Sequence, residues 1–128
     1  MRKCDTYQLY KVNFEQEKYL SILPPNLAIS LCKFRTSNHR LEIETQRHVR
    51  PLVPRIDRKC KKCVLNETGN EFHHVLVCPK FRESRARLIS RQYTERINFI
   101  RFLDLIASKK VKTMINLACF IQETMKKY

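Results

Sequence analysis

A single glycine, Gly69, and no tryptophan occur in the 128 residues of this chain. All-β folds draw heavily on glycine for tight turns, so that scarcity argues for helices, and the abundance of Lys, Arg, Glu, Leu and Ile points the same way. The longest purely apolar run, Leu117–Ile121, is far too short to span a bilayer, and Met1–Tyr7 carries no apolar signal segment. Six cysteines in such a chain are expected as thiols of a reducing compartment, nuclear or cytoplasmic, not as disulfides of a secreted scaffold. Chain length leaves room for one modest core and excludes a polymerase or other large catalytic body.

Acids are scarce too. Twelve Asp plus Glu stand against 26 Lys plus Arg, a formal net charge of +14. From Lys33 to Lys62 there are ten basic residues and three acidic ones, with His39 and His48 interleaved. A surface of that kind attracts polyanions by releasing their condensed counterions, and nucleic acid is the commonest polyanion a nuclear or cytoplasmic protein meets. No segment pairs its basic face with the strong apolar face of an interfacial helix, so a membrane partner is not expected.

The basic stretch leads into the most informative pattern in the chain. Cys60 and Cys63 are separated by two residues, nine more precede His73, and four separate His73 from Cys78. A tetrahedral Zn²⁺ needs four ligands, and a CxxC turn offers two sulfurs to one ion. Histidine and the last cysteine complete the set. Three thiolates and a neutral imidazole around a divalent ion leave a charge near −1, which Lys59, Lys61 and Lys62 offset. His73 and His74 are adjacent and only one can point at the ion; His73, four residues short of Cys78, is preferred. A site closed by four protein ligands is structural, because it has no open position at which to activate water. Cys4, Cys32 and Cys119 have no partners at metal spacing and read as small hydrophobes on helix faces.

Prolines divide the remainder. Tyr7 to Leu23 has helical spacing and stops at Pro24 and Pro25; Asn26 is placed to cap a second helix carrying Leu27, Leu31 and Phe34 on one stripe and fading near Ser37 and Asn38. Leu41–Thr45 alternates apolar and polar and reads as a short extended segment, followed by Pro51 and Pro54. The expected organisation is an N-terminal helical segment (1–36), a basic extended linker (37–59), a CCHC zinc knuckle (60–79) and C-terminal helices (80–128). Within the knuckle, Gly69 sits in a turn and Asn70 caps a short helix holding His73; Pro79 suits the first position of the next. That helix spreads Arg82, Arg85, Arg87 and Arg91 over its surface. Ile97–Ile106, then Val111, Met114, Ile115, Ala118, Ile121 and Met125, describe two packed tail helices.

Four blocks together resemble the C-terminal region of reverse transcriptases of animal non-LTR retrotransposons: Tyr10–Phe14 with Glu17–Leu20, Phe34–Arg47 (FRTSNHRLEIETQR), Arg58–Cys63 (RKCKKC) through Glu71–Pro79 (EFHHVLVCP), and the helical tail. The resemblance covers nearly the whole chain and implies a knuckle, ligated by Cys60, Cys63, His73 and Cys78, that helps bind template nucleic acid, with the polymerase domain lying upstream in a full-length relative. Gln46 departs from the glycine usual before the arginine. The paired aspartates of a polymerase site are missing, so nucleotidyl transfer by this chain alone is not expected.

The sequence therefore predicts a mainly α domain organised around one structural zinc, non-enzymatic, contacting phosphates through Arg55, Arg58, Lys59, Lys61, Lys62, Arg82 and Arg85 while Phe72 or His74 stacks on an unpaired base. Two other classes stay open: a zinc-stabilised protein-interaction module, and a small metal-dependent nuclease using His73 and His74.

Overall fold

The computed structural model describes residues 23–127, and it is mainly helical. Six α-helices occur in this span: α1 (Pro25–Arg35), α2 (Glu42–Thr45), α3 (Arg82–Leu88), α4 (Arg91–Thr94), α5 (Phe99–Ile106) and α6 (Val111–Met125). Short 3₁₀ turns follow α2 (Gln46–His48), lie at Arg55–Asp57 and precede α3 (Pro79–Phe81), and a π-turn spans His73–Val77. No strand occurs among the described residues, only an isolated antiparallel bridge between Lys59 and Thr68. No helix among them is long and apolar enough to cross a membrane. The expected helix over Tyr7 to Leu23, and Cys4, lie outside the described residues except for Leu23 itself.

Helix α6 is the longest and organises the packing, lying against α1, α3 and α5. Its buried residues are Met114, Leu117, Ala118, Phe120, Ile121 and Thr124, a wider stripe than the sequence period suggested, because neighbours cover it on more than one side. Each large side chain so buried contributes about 1.5–3 kcal/mol. Thr124 tolerates full burial by donating its hydroxyl to the Phe120 carbonyl at 2.8 Å.

Helix α1 buries Leu27, Leu31 and Phe34, the expected stripe, together with Ala28. Its start differs from the expected Asn26 cap: Pro24 takes the cap position and Pro25 the first turn, where a fixed φ suits the helix and a missing N–H removes no bond. At its other end Arg35 is buried and donates to the carbonyl of Ile106, tying α1 to the C-terminus of α5. Asn98 caps α5, accepting from the Arg101 N–H at 2.8 Å. Cys32 and Cys119 are half-buried against the core, as small hydrophobes would be.

The segment Leu41–Thr45 is helical, not extended, and it is no linker. Leu41, Glu42 and Ile43 are all buried, three in succession, so alternation was the wrong reading. The cause is that this turn covers the metal-bearing loop on one side and the core on the other: Ile43 N–H donates to Gly69 O at 3.0 Å, and Glu42 packs against Gly69. A β-carbon at Gly69 would collide with the Glu42 side chain and come within 3.1 Å of the Cys60 backbone, so glycine is needed here for close approach and not for its backbone angles.

His74 occupies the centre of the core. Its ring lies 4.8 Å from Phe81, 5.5 Å from Phe120 and 6.0 Å from Phe34, centroid to centroid. Nε2 is 2.8 Å from Thr124 Oγ1, whose proton is already given to Phe120, so Nε2 carries the hydrogen and the ring is neutral. Burial above all, with the His39, Arg85 and His73 charges adding to it, holds the His74 pKa down at about 3. An unfolded histidine titrates near 6.5, so stability is intact above about 6.5 and is lost between about 6.5 and 3, at about 1.4 kcal/mol per pH unit. Lowering the pH from 7 to 5 should cost the native protein about 2 kcal/mol more unfolding free energy than it costs His74→Leu. Identical acid responses of the two proteins in urea titrations would show that His74 is not the buried neutral group described.

Candidate metal centre

Two hydrogen bonds make the first half of the centre. Cys60 N–H donates to Glu67 O and Gly69 N–H to Arg58 O, each at 2.8 Å, which folds the Cys60–Gly69 loop back on itself around the Lys59–Thr68 bridge. Inside this loop the Lys62 N–H points at Cys60 Sγ (3.4 Å) and Cys63 is delivered to the same place.

The π-turn makes the second half. Asn70 Oδ1 accepts from the His73 N–H at 2.9 Å, capping the turn as expected, and the Cys78 N–H donates to His73 O at 2.7 Å. That i→i+5 bond is what a four-residue gap between histidine and cysteine permits: one widened turn places both ligand residues at its ends. Pro79 then starts the turn into α3, as its fixed φ favours.

The ligand atoms of Cys60, Cys63, His73 and Cys78 all lie within 4.8 Å of one another. Cys60 Sγ and Cys78 Sγ are 3.9 Å apart, and Cys63 Sγ is 3.4 Å from His73 Nε2. An ion bound tetrahedrally at about 2.3 Å from sulfur and about 2.0 Å from nitrogen sets sulfurs about 3.8 Å apart and sulfur to nitrogen about 3.5 Å. The donor set therefore fits one metal ion. It does not fit disulfides, since bonded sulfurs stand about 2.0 Å apart, and all five cysteines among the described residues are free.

Electrostatics point to the same occupant. Burial, followed by the neighbouring cysteines, pushes the Cys60 thiol up to about 12, and burial raises Cys78 as well; backbone N–H groups of Lys62 and Lys80 oppose the rise at the two sulfurs. Burial also lowers the His73 pKa, so the imidazole is neutral and able to ligate. A shared cation would stabilise the ionised sulfurs of Cys60 and Cys78 in this space.

Of the two histidines, the structure brings His73 to the cysteines and sends His74 into the core. Behind His73 the sequence reading missed a partner: Glu67 Oε2 lies 3.2 Å from Nδ1, the ring nitrogen facing away from Cys63. A carboxylate on the second nitrogen of a metal-binding histidine fixes its tautomer and orientation. No spacing rule pointed to Glu67; the loop closure at Cys60 puts it there.

The basic residues divide. Lys61 and Arg82 are exposed, and Arg55, Lys59 and Lys62 are half-buried. Arg58 and Arg85, expected on the surface against phosphates, are buried. Arg58 donates to Ile43 O at 2.9 Å and Val53 O at 3.2 Å, holding the chain before Cys60 against α2. Arg85 donates to the carbonyls of Val75 (2.6 Å), Cys78 (2.8 Å) and His74 (3.1 Å), closing the end of the π-turn that has no further helix to satisfy it. His74 is likewise withdrawn from any role in base stacking. Phe72 is half-buried, edge-on to Phe99 and Phe102 at 5.8 and 5.7 Å, and belongs to the core margin. Two features were not foreseen: Lys80 is exposed beside Cys78, and Val64 next to Cys63 is 95% exposed.

Comparisons with protein-family models, curated proteins and solved structures returned no match to this chain.

The division of the arginines is testable by unfolding the metal-loaded protein. Arg85→Ala strands three buried carbonyls and should cost about 3 kcal/mol or more, whereas Arg82→Ala should stay within about 0.5 kcal/mol. Similar small losses in both variants would return Arg85 to the surface.

Proposed function

We propose that this protein is a zinc-stabilised nucleic-acid-binding module, akin to the C-terminal part of an animal non-LTR retrotransposon reverse transcriptase and without polymerase or other catalytic activity of its own. The observation that carries the proposal is the closed Cys60–Cys63–His73–Cys78 donor set, flanked in the chain by Lys59, Lys61, Lys80 and Arg82. Three sulfurs and one imidazole nitrogen in tetrahedral spacing suit Zn²⁺. With all four positions taken by protein, the ion orders the chain and leaves no place for a substrate water. Reduced cysteines at such a centre suit an intracellular compartment.

Lys59, Lys61, Lys80 and Arg82 are the side chains assigned to phosphate contact; Lys62 and Arg55 lie near them in the chain. Exposed Val64 and Leu65 add apolar surface beside these cations, suited to an unpaired base. The nuclease alternative needs His73 and His74 to act together, and their opposite orientations speak against it. Binding dominated by phosphates is strongly salt dependent and weakly sequence selective.

Fluorescence anisotropy with short single-stranded RNA and DNA tests this reading. The native protein should bind with a steep negative slope of log affinity against log salt. Lys61→Ala/Lys80→Ala/Arg82→Ala should lower that slope by about 2, as expected when two to three phosphate contacts are lost. Salt-insensitive binding, or an unchanged slope in the triple variant, would overturn the assignment and favour a protein-binding module.

A further inference from the structure

A groove of about 350 Å³ opens between α1 and the C-terminal half of α6, within the size range of small-molecule sites. Phe34, Ile121 and Met125 form its apolar floor, and Lys33, Arg40 and Lys126 stand at its rim. All three cations are exposed, and none is paired with a carboxylate among the described residues. Among the described residues, no acidic one lines the groove. His39 supplies a wall and no ligand: its ring lies 5.5 Å from Phe34, Nδ1 accepts from the Leu41 N–H at 3.3 Å, and Nε2 faces the Glu71 carboxylate at 3.7 Å. A second groove, about 420 Å³ beside α3 and α6, differs in the respect that matters: its Arg87 and Arg91 are already paired, with Glu123 and Glu95.

We propose that the α1–α6 groove binds a phosphate monoester with a flat apolar body, a nucleoside monophosphate unit. The base lies against half-buried Met125, with buried Phe34 and Ile121 beneath it, and the phosphate lies among Lys33, Arg40 and Lys126. A carboxylate carries one charge, whereas a phosphate monoester carries about −1.5 to −2 at neutral pH and offers three acceptor oxygens, which suits three unpaired cations better. The amides of Asn38 and Gln122, also in the lining, provide donors and acceptors for base heteroatoms, which a fatty chain would leave unused. Methionine in the floor adapts to the face of a ring. This site uses none of the residues of the metal centre and stands independently of the nucleic-acid reading above. The same monoester chemistry belongs to a free mononucleotide and to the 5′-phosphate end of a nucleic-acid chain.

Isothermal titration of the metal-loaded full chain with AMP, adenosine and inorganic phosphate tests the proposal. AMP should bind saturably with one site, and adenosine or phosphate alone should bind about tenfold or more weakly. Lys33→Ala/Arg40→Ala/Lys126→Ala should weaken AMP about tenfold or more, and Gln122→Glu, which places a carboxylate in the groove, should weaken it too. Lys61→Ala/Lys80→Ala/Arg82→Ala should leave AMP binding unchanged. Displacement of AMP by a 5′-phosphorylated oligonucleotide but not by its 5′-hydroxyl counterpart would identify the chain end as the ligand; displacement by neither would identify the free mononucleotide. Absence of saturable AMP binding, equal binding of inorganic phosphate, or an unaffected rim variant would overturn the site.

Discussion

Three thiols, two of them buried and Cys63 half-buried, and an imidazole held within 4.8 Å of one another set the terms for the rest of this fold. Without a cation the loop is held by a few backbone bonds; with one, four points of the chain are fixed to a single ion. Binding free energy of a metal that the unfolded chain does not hold in a preformed site is folding free energy. That matters in a domain this small, where one hydrophobic core alone contributes little net stability.

Around these four side chains the structure is built from polar groups placed under cover. The Cys60–Gly69 loop is backed by α2, which reaches close enough only because position 69 has no side chain. Arg58 fastens the chain entering the loop, and Arg85 fastens the turn leaving it, each by donating to backbone carbonyls. Glu67 orients the ligating His73, while its neighbour His74 faces the opposite way and joins Phe34, Phe81 and Phe120 beneath α6. Metal centre and apolar core are thus the two sides of one turn.

What could be read from the sequence was mostly what depends on local spacing. The CxxC turn, the four-residue gap that becomes a π-turn, the Asn70 cap, Pro79 at a helix start, and the stripes of α1 and the tail all follow from near neighbours in the chain. The preference for His73 over His74 matches the arrangement found, because only the π-turn's first residue comes round to Cys78. Misreadings came where a distant element decided. Arg58 and Arg85 look like surface cations until the carbonyls they serve are seen, and those belong to α2 and the π-turn. Leu41–Thr45 alternates like a strand, yet it is covered on both sides. Asn26 lost the cap to the prolines before it. Glu67 carries no motif; its role exists only once the loop closes.

We propose that one metal ion, held by Cys60, Cys63, His73 and Cys78, orders the domain. Cobalt(II) titration of the purified apoprotein, followed by absorption and by far-ultraviolet circular dichroism, tests it most directly. An intense tetrahedral, thiolate-rich spectrum should saturate at one equivalent together with a gain of helix, both lost in Cys78→Ser and His73→Ala but kept in His74→Leu. A chain that is equally helical after exhaustive chelation and gives no such spectrum would contradict it.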